Sequence, residues 1–168
     1  MKVGSFAQAK GAAVRVEGPV ARPGTLLPAV HWQQVWFEAR RRPWSSLAVV
    51  PAHPGTSSHL VAEALAAVGG LHGDRPVTLL DAAGAELPDV ASVLTSLADI
   101  VGREGLAVMA VGDPIGRPAS IPIARAAEAA ILVVPLGEAG FADARRVLDA
   151  VGRDRFIGAV TFGPARKA

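Results

Sequence analysis

Five short apolar runs recur along this chain: LAVVP at 47–51, VTLLD at 77–81, LAVMAV at 106–111, AILVVP at 130–135 and FIGAVTF at 156–162. Each is apolar on both of its faces. A strand of that kind must be covered on both sides, which is the mark of a parallel sheet wrapped by helices. Segments of helical pattern lie between the runs, at roughly 57–69, 89–102, 119–129 and 139–151. Strand–helix alternation with short loops implies crossovers of one hand. The expected fold is therefore doubly wound α/β, a mainly parallel sheet of about five strands flanked by helices. Ligands of such folds sit outside the carboxyl ends of the strands. The loops that matter are then 51–58, 81–88, 112–118, 136–139 and 162–164.

Composition narrows the class. The 168 residues, 51% of them hydrophobic, suit one domain with a sizeable core, placed at 28–168. Gly18, Pro19, Pro23 and Gly24 interrupt the start, so 1–27 reads as an irregular segment with room for a short strand around Ala12–Val16. There is no Cys, hence no disulfide framework and no Cys-based metal or redox chemistry. No charge-free apolar run approaches the ~18 residues of a membrane span. The first residues lack the apolar core of a secretory signal, so a cytoplasmic protein is expected. Net charge is only +2. Arg40, Arg41 and Arg42 form the one tight basic cluster and read as a solvated helix end. No aromatic stacking pattern accompanies them, so no nucleic-acid partner is expected.

The loop after the first run has the layout of a phosphate-binding loop. Its octet is Ala52, His53, Pro54, Gly55, Thr56, Ser57, Ser58, His59. A working loop reads G-x-x-x-x-G-K-[ST]: backbone N–H groups cradle phosphate, Lys neutralises it and the hydroxyl binds magnesium. Here Ser57 stands for the second Gly, Ser58 for the Lys and His59 for the magnesium-binding hydroxyl.

On these residues the chain resembles the cytoplasmic kinase domain of the bacterial tyrosine kinases of capsule and exopolysaccharide export, relatives of the ParA/MinD P-loop ATPases. Pro54 and Gly55 match that family's P-G pair, and Ala62, Ala64 and Leu65 fall on the helix that follows. Glu38, Ala39 and Arg41 match its E-A-x-R helix, with Trp44 where a second Arg is expected. RPVTLLDAAG resembles its second acidic motif, with Asp81 on the first Asp and Ala83 on the second. LAVMAVGDP resembles Y-V-I-I-D-T-P-P; Pro114 matches, Val111 occupies the magnesium-site Asp, and Asp113 is displaced by two positions. ARAAEAAILVV resembles A-R-x-A-D-G-V-L-L-V-V. The matches span roughly 29–163.

The resemblance implies a P-loop NTPase-like fold and a member that has lost its chemistry. Phosphoryl transfer needs Lys on the phosphates, a hydroxyl on magnesium and carboxylates around the metal. Asp81 alone is a clear match, so the expectation is a pseudo-kinase or pseudo-ATPase with no catalytic residues and no metal. The chain contains no Tyr and cannot autophosphorylate on one. The implied role is a regulatory or scaffolding component of polysaccharide synthesis and export. Its partners would be a membrane-bound chain-length protein or an active kinase homologue, with homo-oligomers also open and recruitment to the inner membrane face through a partner. No cofactor is expected, with weak ATP or ADP binding at Pro54–His59 as the alternative. The other readings are a divergent ATPase that replaces Lys by N–H groups and arginines, and a ParA/MinD-like positioning protein. His53, Arg117 and Arg125 are the cations left to rebuild a phosphate site.

Plainer roles stand beside these. Ser57 and Ser58 can cap a helix. His53 and His59 are too few for a metal site without a third ligand. Asp81 can bond neighbouring loop N–H groups, and Asp113 before Pro114 suits a turn. A serine nucleophile elbow needs G-x-S-x-G, which GTSSH does not complete, and no G-x-G-x-x-G follows the first strand. Trp32, Trp36, Phe37 and Trp44 gather in and just after a helix expected over 29–42. They pack that helix on the sheet, form an interface with Glu38 and Arg41, or do both.

Overall fold

The computed structural model describes residues 2–7, 13–14, 30–138 and 140–163. Five parallel strands form its centre: β3 (Ser46–Pro51), β4 (Val77–Ala82), β5 (Leu106–Val111), β6 (Ala129–Pro135) and β7 (Phe156–Gly163). Their spatial order is β7-β6-β3-β5-β4, so the chain starts this sheet in the middle and builds outward to both sides. Helices α2 (Ser58–His72), α3 (Val90–Gly102), α4 (Ser120–Ala126) and α5 (Phe141–Val151) carry the four crossovers, and α1 (Val30–Ala39) precedes β3. The expected doubly wound α/β architecture is what the chain adopts.

The residues of each central strand divide between two cores. Leu47 and Val49 of β3, with Leu106, Val108 and Ala110 of β5, pack under α1 and α2. Ala48 and Val50, with Ala107, Met109 and Val111, pack under α3, α4 and α5. Period-2 geometry sends successive side chains to opposite faces, and both faces are covered. This is why the runs are apolar throughout. The edge strand β4 is the exception. It keeps Thr78 and Asp81 exposed, as an edge does that must not pair further.

One element differs from the sequence reading. The segment 1–27 was expected to be irregular, yet β1 (Lys2–Ala7) pairs antiparallel with β7, and β2 (Ala13–Val14) pairs with β1. The sheet thus has seven strands, with an antiparallel hairpin on one edge. The reason is physical: β7 would otherwise leave a row of open N–H and C=O groups. The short strand expected around Ala12–Val16 is β2; the rest of 1–27 lies outside the described residues.

The tryptophan-rich helix is settled by burial. Trp32 and Trp36 are each 2% exposed and Trp44 3%. Trp36 and Trp44 meet edge to face at 5.7 Å. The Trp44 Nε1 donates to the Ala39 carbonyl at 2.9 Å, and the Arg40 guanidinium lies 4.8 Å from the Trp44 ring centroid. Trp36 reaches α2 because residue 69 is Gly: a Cβ there would collide with its ring. The interface reading of Trp32, Trp36 and Trp44 is therefore corrected. They are core residues, because α1 must bury an apolar stripe on α2 and β7. Glu38 and Arg41 pair with each other at 3.2 Å on the outer side.

Candidate functional site

The strand order decides where a site can form. From β3 the chain moves to one side through α2; from β5 it moves to the other through α4. The carboxyl ends of adjacent β3 and β5 are thus a topological switch point, where doubly wound folds open a crevice. The crevice is present as a cleft of about 350 Å³. Pro54–His59 form one wall; Gly112, Asp113, Gly116 and Arg117 form another; Ala83 and Val111 contribute between them.

The loop from β3 to α2 has the course of a phosphate-binding loop. Gly55 takes φ +83°, a left-handed conformation that suits Gly. The Thr56 N–H closes a turn on the His53 carbonyl at 3.2 Å. Ser57 is the N-cap of α2, its hydroxyl accepting from the Leu60 N–H at 3.4 Å. Ser58 does not cap. It is buried, and its Oγ donates to the Val111 carbonyl at 2.6 Å. The position aligned with Lys is thus a hydroxyl tied to β5, next to the residue aligned with the magnesium-site Asp. The Thr56 hydroxyl is buried beside this cleft and has no partner among the described residues.

Charge around the cleft is arranged in pairs. His59 Nδ1 lies 3.0 Å from Asp81 Oδ2, and His53 Nδ1 lies 3.6 Å from Asp143 Oδ2. Neither Nδ1 makes a hydrogen bond there, so both are close contacts of imidazole and carboxylate rather than directed hydrogen bonds. Arg117 donates to Glu86 at 3.0 Å and reaches the Gly84 carbonyl at 3.4 Å. Arg125 is at the far end of α4, donating to the Ala150 carbonyl at 2.7 and 3.1 Å. Of the three groups expected to rebuild a phosphate site, His53 and Arg117 lie beside carboxylates and Arg125 faces the other edge of the sheet.

The remaining acidic residues play local parts. Asp81 Oδ1 accepts from the Ala83 N–H at 3.1 Å. Asp113 accepts from the Ile115 and Gly116 N–H groups at 3.1 and 2.8 Å, a turn-stabilising pattern. The fold brings together Pro54–His59, Asp81 and Asp113, and leaves Trp32, Trp36, Glu38, Arg41 and Trp44 on α1 and the turn after it. Sequence reasoning missed Glu86 and Asp143. Glu86 falls in the loop 81–88 and Asp143 just past 136–139; an acidic residue in or beside those loops was the available signal. Among the described residues no group of three or more His, Cys, Asp or Glu is placed to hold a metal ion.

Comparison with protein-family models, with curated proteins and with solved structures returns no match. Fold and site define a class by themselves: a doubly wound α/β domain consistent with a P-loop-like NTPase frame, opened at its switch point. Among the described residues no helix is long and apolar enough to cross a membrane.

Proposed function

We propose that this domain is a catalytically degenerate relative of the P-loop ATPases, a frame that does not transfer phosphate. The observation that carries the reading is Ser58. It stands where a lysine would meet the phosphates, and its hydroxyl is tied to the Val111 carbonyl. Loss of one electrostatic group at a transition state typically costs about 10²–10³ in rate, and here the lysine, the magnesium hydroxyl and the magnesium-site Asp are absent together. The pairing of His53, His59 and Arg117 with carboxylates supports the same reading.

The resemblance to the exopolysaccharide tyrosine kinases suggests the setting: a regulatory or scaffolding component of polysaccharide synthesis and export, acting through a membrane-bound chain-length protein or an active homologue. The test is phosphate release from MgATP by the purified protein, alone and with a tyrosine-containing acceptor peptide. The reading requires rates at the level of a heat-denatured control. One observation favours a second reading, residual anion binding: the N-terminus of α2, with the Thr56 hydroxyl, opens on the cleft.

A further inference from the structure

The loops beyond β3, β4, β5 and β6 share one edge of the sheet, and their charge is lopsided. Asp81, Glu86, Asp89, Asp113, Glu138 and Asp143 lie in or beside them; among the described residues Arg117 is the cation of these loops, and Lys2 of β1 stands opposite Gly163 at the same edge. The whole chain is net positive, so this is placement and not composition. The opposite edge mixes signs: Arg42, Arg103 and Arg153 stand there beside Glu104, Glu128 and Asp154.

The same acidic edge also exposes large apolar side chains. Phe141 is 85% exposed and Leu87 67%, with Leu136 and Ile115 about half exposed. Leu136 lies in the β6–α5 connection and Phe141 opens α5, while Ile115 and Leu87 lie in the connections after β5 and β4. Large apolar groups exposed on one edge and rimmed by polar residues suit a contact surface, and an exposed aromatic is a natural anchor. A rim of carboxylates repels phosphate and attracts cations.

We infer that this edge docks a segment of another protein in which Arg or Lys alternate with large apolar residues. The inference rests on the reading that the cleft is no longer a nucleotide site. A second copy offering its opposite edge is the rival occupant. That edge carries Asp74, Glu104, Glu128 and Asp154 among its arginines, and these would face the carboxylate rim unfavourably.

The experiment titrates the full chain into a fluorescein-labelled Leu/Arg alternating peptide and follows anisotropy. Gly/Arg and Leu/Glu peptides of equal length are the controls. The Leu/Arg peptide binds saturably and more weakly as salt rises. The Gly/Arg peptide binds at least about tenfold more weakly, and Leu/Glu does not bind. Two variants exchange exposed side chains only, so folding is not at stake. Phe141→Ser with Leu87→Asn weakens binding about tenfold or more, and Glu138→Arg weakens it in the same direction. Absence of binding, equal affinity for the Gly/Arg peptide, or indifference to both variants overturns the inference. So does concentration-dependent self-association that these variants abolish, because the face then belongs to a second copy. Displacement of the peptide by MgATP overturns the functional reading as well, whereas failure of peptide and nucleotide together removes this inference alone.

Discussion

The hydroxyl of Ser58 and the carbonyl of Val111 are joined by a 2.6 Å hydrogen bond between the first residue of α2 and the last residue of β5. The proposed reading aligns these two positions with the lysine and a magnesium-site Asp of an active P-loop enzyme. What would be a catalytic gap is here a tie between helix and strand.

Ser58→Ala removes the donor and leaves a buried carbonyl without its partner. The expected loss is about 1–3 kcal/mol of folding stability, since an orphaned buried polar group loses more than the net value of its bond. Urea denaturation checks it. Ser58→Lys loses at least as much, because the ammonium enters a buried position, and it does not restore nucleotide binding.

Gly69 is predicted to be intolerant of any side chain. A Cβ there meets the Trp36 ring, which is itself 2% exposed. Gly69→Ala destabilises by about 1–3 kcal/mol through overpacking. Gly69→Ala combined with Trp36→Leu loses less than the sum of the single changes, because the two residues share one contact. Denaturation curves of the three variants read the coupling.

His31 makes stability depend on pH. Its ring is buried on α1, its Nε2 has no partner among the described residues, and burial lowers its pKa from the ordinary 6.5. The unfolded chain therefore binds a proton before the folded one does. Stability falls as pH drops below about 6.5 toward the lowered folded value, and this contribution is flat above it. His31→Leu should narrow the difference in melting temperature between pH 7.5 and pH 5.5 (values chosen to bracket the ordinary pKa). An unchanged difference would assign the dependence to other groups.

The cations of the cleft should be recoverable. Asp81→Asn, Glu86→Gln and Asp143→Asn together free His59, Arg117 and His53 from their carboxylates. The helix N-terminus then faces an uncompensated basic rim. Pyrophosphate binding is predicted to be stronger in the triple variant than in the parent at pH 6, measured by calorimetry. These groups are substantially exposed, so stability should move by less than about 1 kcal/mol per pair.

The central sheet is legible in the sequence because LAVVP, LAVMAV and AILVVP are apolar on both faces, and only a strand covered twice requires that. The strand β1 and its pairing are not legible, although a short strand at β2 is. KVGSFA lacks a continuous apolar run, and its pairing is imposed by the open edge of β7, which is distant in sequence. The tryptophans show the limit of periodicity: the pattern on α1 reveals an apolar face but not what covers it. Only the position of Gly69 opposite Trp36 decides that. At the site, the missing lysine is visible in the octet itself, whereas the pairs His59–Asp81, His53–Asp143 and Arg117–Glu86 join residues from different loops and follow from topology alone.

The most direct test of the account is a calorimetric titration of the purified protein with ATP and with ADP, each with and without magnesium. The account predicts no heat of binding at millimolar nucleotide, a level at which even a Kd near 1 mM, about −4 kcal/mol, would register. Magnesium-dependent binding in the micromolar range would contradict it, and would mean that another group has taken over the work of the lysine that Ser58 replaces.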